Sequence, residues 1–345
     1  MASAHIGITG VNAVDNPGPG VGVARSLKEA PDLDAHLIGL AYDAMEPGVY
    51  MDWLFERAFL LPYPSAGHEA FLERMRYIRA ATDMNILVPN LDAELPLLIR
   101  YGRELEAIGV RMLLPTEEQF TLRAKEHLPE VARKIGLKAP ETRVVHSPQE
   151  LLEGVRELGL PVMVKGVFYG AYRAYTEQEA IGYFHQLVAE WGYPVLVQQV
   201  ITGEELNVVS VGDGEGGSFG AVGLRKMWVT RLGKIWTGVT VRHEGMLQAT
   251  ERFVATYRWR GPFELECMLQ DDDLYLIEIN PRFPAWCYFA TGVGVNLPAR
   301  LIRYLSGEEP ERSSDYEPGK LYIRYTYELI SDMEPFQHMI TRGER

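Results

Sequence analysis

Residues 261–282, GPFELECMLQDDDLYLIEINPR, constrain this chain more than any other stretch. Phe263, Leu265 and Cys267 alternate with Glu264 and Glu266. An acidic turn, Asp271-Asp272-Asp273, follows, and Leu274, Leu276 and Ile277 carry a second extended run into Glu278-Ile279-Asn280-Pro281-Arg282. Alternation with period two on both sides of a turn predicts a β-hairpin. Successive strand side chains take opposite faces, so Glu278, Asn280 and Arg282 point one way and Glu266 on the neighbouring strand faces them. Two carboxylates, an amide oxygen and a guanidinium therefore converge. Such oxygen donors suit Mg²⁺ when substrate phosphates complete its shell, and the arginine fork matches phosphate oxygens. A solvated acidic face is the competing reading. Leu276, Ile277 and Ile279 oppose it, because they make the strand central, and carboxylates entering a core need partners.

The chain has 345 residues, 47% hydrophobic and 23% charged, which is ordinary for a globular protein with two or three compact units. Lys+Arg 34 against Asp+Glu 47 gives a formal charge of -13, which argues against nucleic acid and anionic membrane as partners. Cys267 in an apolar strand and Cys287 beside aromatics read as buried thiols in a reducing compartment rather than as a disulfide framework. With no long apolar run, leader or lipidation motif to read, the expectation is cytoplasmic.

Strands and helices alternate over the N-terminal third. Ile6–Gly10 reads as a strand, Asn16-Pro17-Gly18-Pro19-Gly20-Val21-Gly22 as a loop, Val23–Ala30 as a helix, His36–Leu40 and Ile86–Val88 as strands, and Val110–Leu114 as one more. This predicts an α/β N-terminal domain with a parallel sheet. Pro115 and Thr116-x-x-Gln119 open a new segment, and Ser147-x-x-Glu150 and Thr176-x-x-Glu179 are two further capping boxes. From Val195 to Val241 short strands dominate, among them Leu206–Val211, Phe219–Leu224 and Trp236–Val241. Two strand-rich α+β lobes follow from this pattern. The expected division is 1–114 for the N-terminal domain, 115–197 for a central lobe and 198–345 for a C-terminal lobe.

The hairpin and these lobes resemble the ATP-grasp superfamily, and within it the carbamoyl phosphate synthetase-like ligases, whose signature ends in an acidic residue, a short turn and E-x-N-P-R. The likeness runs from about residue 115 to 305. It implies the ATP-grasp fold, ATP as cofactor and two Mg²⁺ ions, with Mn²⁺ as a substitute. It also implies site residues. Lys165, ending the apolar strand Val162-Met163-Val164, resembles the family's second nucleotide lysine, and Lys125 the first, with Arg123 a rival. Gln198, Gln199 and Ile201 fall in the segment that reads adenine, and Glu205 is the ribose ligand, Glu204 reading as a solvated acid. Glu266, Glu278 and Asn280 are the metal ligands, with Glu264 ranked behind Glu266; Arg282 and Lys165 serve the transferring phosphoryl group, and Lys226 contacts phosphate or donor carboxylate. The loop Gly166–Tyr172 departs from the family's small-residue pattern, so Phe168 and Tyr169 roof either phosphate or substrate.

The resemblance implies an ADP-forming ligase joining a small-molecule or peptide carboxylate to an amine through an acyl phosphate. A homodimer is compatible with it. Two other classes compete. Gly18-x-Gly20-x-Gly22 after a strand, with Asp43 ending the next, imitates a dinucleotide fingerprint and suggests a nicotinamide-dependent oxidoreductase, although Pro17 and Pro19 stiffen the loop and the glycine spacing is wrong. A nucleotide-binding module without turnover is the third.

Overall fold

The computed structural model describes residues 3–12, 18–166, 170–230 and 233–345. The chain divides into two compact units, one of Met1–Thr121, Leu206–Leu265 and Ile279–Arg345, the other of Leu122–Glu205 and Glu266–Glu278.

In the first unit four parallel strands, β1 (Ala4–Ile8), β2 (Ala35–Ala41), β3 (Arg57–Leu60) and β4 (Ile86–Val88), lie in the order β3-β2-β1-β4. Ile6, Ile8, Leu37, Leu40, Ile86 and Leu87 are buried, the near-continuous apolar run expected of strands covered on both faces. The helix Pro19–Lys28 follows β1 with Gly18 as N-cap, and its glycines serve packing. A Cβ on Gly20 would lie 2.1 Å from the Thr9 carbonyl, and one on Gly18 2.3 Å from that of Gly10. Close approach of helix to strand therefore explains this spacing without a dinucleotide. Asp43 accepts from the Met45 N–H at 2.7 Å and closes a turn. Asn16 and Pro17 lie outside the described residues. The expected strand Val110–Leu114 is reduced to one parallel bridge, Ile86 with Arg111, because only Leu87 N–H to Arg111 O (3.0 Å) and Arg111 N–H to Asn85 O (3.0 Å) tie it to its neighbour.

The second unit holds β5 (Thr142–Val145), β6 (Val162–Gly166), β7 (Ala171–Ala174) and β8 (Val195–Gln199) in the antiparallel order β5-β8-β6-β7. Two helices, Pro148–Leu158 and Glu177–Trp191, are nucleated by the expected capping boxes. The Ser147 and Thr176 hydroxyls accept from the Glu150 and Glu179 N–H groups at 3.2 and 3.1 Å. Their apolar faces bring Leu151, Val155, Phe184 and Leu187 onto Val162, Val164, Val195 and Val197.

A six-stranded sheet contains β9 (Glu204–Asp213), β10 (Ser218–Val229), β11 (Ile235–Thr240), β12 (Arg260–Gln270), β13 (Asp273–Asn280) and β14 (Leu321–Ile323), in the order β13-β12-β9-β10-β11-β14. β12 and β13 are the predicted hairpin. Asp271 takes a left-handed φ of 53° in its turn, a conformation that aspartate tolerates.

Candidate functional site

Lys165 is the next-to-last residue of β6, paired with Ala171 on β7 and Leu196 on β8, and only 8% of it is exposed. Alternation on β6 sends Val162 and Val164 into the helix-covered core and puts Lys165 on the opposite face, with Met163. Burial first, and Lys125 nearby second, lower its ammonium to about 8, with Glu278, Glu266 and Glu205 acting in the opposite sense. Lys125 stands in the turn before the helix Leu128–Ile135; burial lowers it and Glu278 supports it. Two half-desolvated ammonium groups thus share one neighbourhood with three carboxylates, all in the second unit. Two lysines held this close repel each other, and the neighbouring carboxylates offset that repulsion.

The hairpin sets the faces of its acids. Asn280 Nδ2 donates to Glu264 Oε2 at 3.0 Å, so these two positions share a face. Two residues along each antiparallel strand, Glu266 and Glu278 share it as well. Both are half-buried, and their oxygens suit a hard divalent cation. Among the described residues no group of three or more His, Cys, Asp or Glu is gathered around a point that a metal would fill. Two carboxylates leave an octahedral ion in need of phosphate or water oxygens.

Glu264 has a different fate. It is buried, with Asn207 Nδ2 (2.7 Å) and Trp286 Nε1 (2.6 Å) donating to Oε1 and Asn280 to Oε2. Asn280 Oδ1 in turn accepts from Arg282 Nη2 at 3.3 Å, and Arg282 Nε donates to Asp92 Oδ2 at 2.7 Å. The first unit therefore carries a relay from Asp92 through Arg282 and Asn280 to Glu264. Sequence reading missed Asp92 because it lies 190 residues from its partner. A second buried carboxyl was missed too. Glu94 accepts from Thr9 Oγ1, from Tyr42 Oη at 2.6 Å and from the Asn90 N–H at 2.9 Å, and burial raises both Glu94 and Tyr42. Only three-dimensional proximity of the β1 and β4 ends, where strand order reverses, brings these residues together.

The adenine segment is mixed. Gln198 is buried and donates from Nε2 to Thr142 Oγ1 at 2.8 Å, and the Gln199 N–H donates to Glu141 O at 2.8 Å. Ile201 lies in the irregular stretch between β8 and β9. Gly203 just after it admits no side chain, since a Cβ would stand 1.9 Å from the Leu269 carbonyl. Lys226 is half-buried on β10 of the first unit, paired with Gly238. Gly166 and Gly170 of the glycine loop are described, whereas Phe168 and Tyr169, the expected roof, lie outside the described residues.

Comparison with known proteins agrees with this architecture. Residues 193–327 match a family described as "ATP-grasp in the biosynthetic pathway with Ter operon". The carbamoyl phosphate synthase large chain of Vibrio cholerae is 25% identical over 229 residues, covering 62% of this chain and 21% of its own length. The chain thus spans about a fifth of the length of the curated relatives it matches. The biotin carboxylase domain of Hydrogenobacter thermophilus 2-oxoglutarate carboxylase, solved with MgADP, ADP and bicarbonate, superposes with a TM-score of 0.70 at 16% identity over 92% of this chain and 73% of that one. An L-amino acid ligase from Bacillus licheniformis superposes with a TM-score of 0.65 at 17% identity over 88% of this chain and 74% of that one. The fold is that of the ATP-grasp proteins. The chain's matched segment, residues 193–327, is similar to an ATP-grasp family, and the chain is similar to carbamoyl phosphate synthase large chains.

Proposed function

We propose that this protein is an ATP-dependent carboxylate-amine ligase that phosphorylates a carboxylate, passes the acyl group to an amine and releases ADP and phosphate. The observation that carries the reading is buried Lys165 and half-buried Lys125 set against Glu266, Glu278 and Glu205. Phosphoryl transfer demands positioning and charge neutralisation rather than a nucleophilic side chain, and this group of residues supplies both. Lys165, buried and still protonated at neutral pH, holds phosphate oxygens without competition from bulk water. Lys125 does the same from the turn. Glu266 and Glu278, with Asn280, would hold Mg²⁺, which when bound offsets charge on the phosphate oxygens. Glu205 takes the ribose hydroxyls, and the Gln198 to Ile201 segment flanks the base. Arg282 and Lys226 keep the roles that the family resemblance gives them, toward phosphate or donor carboxylate. The similar structures, a carboxylase domain with MgADP and bicarbonate and an L-amino acid ligase, support small carboxylates as acceptors. The Gly18-Gly20-Gly22 packing removes the motive for a nicotinamide site.

Pools of carboxylic acids and amines are screened for ADP formation with mass detection of the adduct. The acid so found is then labelled with oxygen-18 in its carboxylate. One labelled oxygen is expected in each released phosphate, with ADP stoichiometric to product. AMP as the product, or phosphate free of label, would remove the acyl-phosphate reading.

A further inference from the structure

Arg282 stands just past the end of β13, and its guanidinium is held from several sides. Nε donates to Asp92 Oδ2 at 2.7 Å, Nη1 to the Phe283 carbonyl at 3.3 Å and Nη2 to Asn280 Oδ1 at 3.3 Å. Of these bonds only the one to Asp92 lies within the usual N–H···O range, and of the three it alone joins opposite charges. Side-chain exposures of 19% for Arg282 and 24% for Asp92 screen the pair less than a surface salt bridge. The Asn280 amide is fixed from its other end. A carboxylate only accepts, so the Nδ2 that donates to Glu264 keeps that side, and Oδ1 is the atom turned to Arg282.

Asp92 is presented by a pinned turn between β4 and the helix Leu95–Arg100. The Asn90 and Leu91 N–H groups donate to Glu94 Oε1 at 2.9 and 3.0 Å, and Asn90 Nδ2 donates to the Val88 and Thr9 carbonyls at 2.9 and 3.1 Å. Asn90 and Glu94 are both buried. The turn is thereby fixed at the carboxyl ends of β1 and β4, the place where strand order reverses and where open α/β sheets receive ligands. A short side chain on a fixed turn orders a long arginine more sharply than a long one on a mobile loop, because it brings little rotamer freedom of its own.

Orientation and charge pull in different directions here. The Asp92 carboxylate offsets part of the Arg282 charge, so the pair attracts an anion less strongly than a lone guanidinium would. What Asp92 supplies in return is a fixed plane, and a planar fork recognises oxygens only when its plane is set. We propose that Asp92 is a positioning residue for the reaction, fixing the Arg282 guanidinium through Nε and acting on turnover through that arginine. This rests on the ligase reading, in which Arg282 faces phosphate or donor carboxylate.

The test labels the arginines of the whole chain with nitrogen-15 and assigns the Arg282 Nε–H resonance by its disappearance in Arg282→Lys. Without nucleotide the wild-type signal should be resolved and slow to exchange with water, and Asp92→Ala should shift or broaden it. ADP production and ATP affinity are measured on the same proteins. Asp92→Ala should lower kcat about tenfold or more, the cost of a misplaced group, while ATP affinity stays within about twofold because the Arg282 charge remains. Asp92→Glu should recover most of the rate and the signal. Urea unfolding checks that each variant is folded, and Asp92→Asn, which keeps the shape, carries the same test with smaller changes should Asp92→Ala fail to fold. A signal indifferent to the loss of Asp92, or a folded variant with wild-type kcat, would overturn the proposal. So would a fall in kcat that leaves the signal intact, since Asp92 would then act on substrate directly. A wild type that makes no ADP from any acid and amine would remove the ligase reading and this proposal with it, whereas an active wild type with an insensitive variant removes this proposal alone.

Discussion

Glu264 and Glu266 are two residues apart on one strand, and their surroundings could hardly differ more. Three donors, from Asn207, Asn280 and Trp286, hold Glu264, which is buried. Glu266, half-buried, acts instead on a lysine ammonium that burial has already weakened. The first carboxylate is held by partners that the fold itself supplies. The second, with Glu278, belongs to a set whose like charges, Lys125 and Lys165, oppose one another until something anionic arrives. A hairpin of uniform alternation thus carries one acid held by the fold and two that we propose serve the site, and the difference lies in the neighbours rather than in the strand.

Breaking the structural side should have the largest effect on stability. Glu264→Ala strands three buried donors, so unfolding by urea should show a loss of about 3 to 5 kcal/mol, in the range for breaking a buried charged hydrogen-bond network. A loss within about 0.5 kcal/mol, the range of a surface substitution, would mean that Glu264 is not the anchor described. Breaking the functional side should leave stability nearly intact and cost binding. Lys165→Met relieves a desolvated charge and removes a phosphate contact, so calorimetry should show ATP affinity weakened by about 1.5 to 3 kcal/mol. Unchanged affinity would return this lysine to a purely structural role.

A smaller effect sharpens the contrast through pH. Lys165 titrates near 8 in the folded chain against an ordinary 10.5, so the folded state binds fewer protons than the unfolded state between those values. Stability contributed by this group is therefore lowest below pH 8 and rises as pH climbs toward 10.5. Nucleotide binding has the opposite sign, because it needs the proton. From pH 7 to pH 9 affinity for ATP should fall about tenfold, or 1.4 kcal/mol. Lys165→Met should flatten that dependence, and an equally steep profile in the variant would assign it to another group.

Much of this was legible in the sequence where local rules act. The hairpin follows from alternation on either side of an acidic turn, and the Ser147 and Thr176 caps from their spacing to Glu150 and Glu179. The face shared by Glu266 and Glu278 follows from the same period of two. What local rules do not reach was invisible. Strands β3, β7 and β14 were not read from the sequence and exist because a neighbouring strand pairs with them. Val110–Leu114 has strand-like residues yet gains only two lateral bonds. Asp92 with Arg282, and Glu94 with Thr9 and Tyr42, are meetings between distant segments, and no window along the chain contains both partners.

The central claim, that the Lys165 and hairpin carboxylate group is a Mg-nucleotide site serving phosphoryl transfer, is tested most directly by Glu278→Gln. Steady-state ADP production from the acid and amine found by screening is measured for wild type and variant over a magnesium series. The substitution keeps the shape and removes one charge, so turnover should fall by about a hundredfold or more while the unfolding midpoint stays near that of wild type, and the shortfall should narrow as magnesium is raised. Wild-type ADP production by the folded variant at every magnesium concentration would contradict the account.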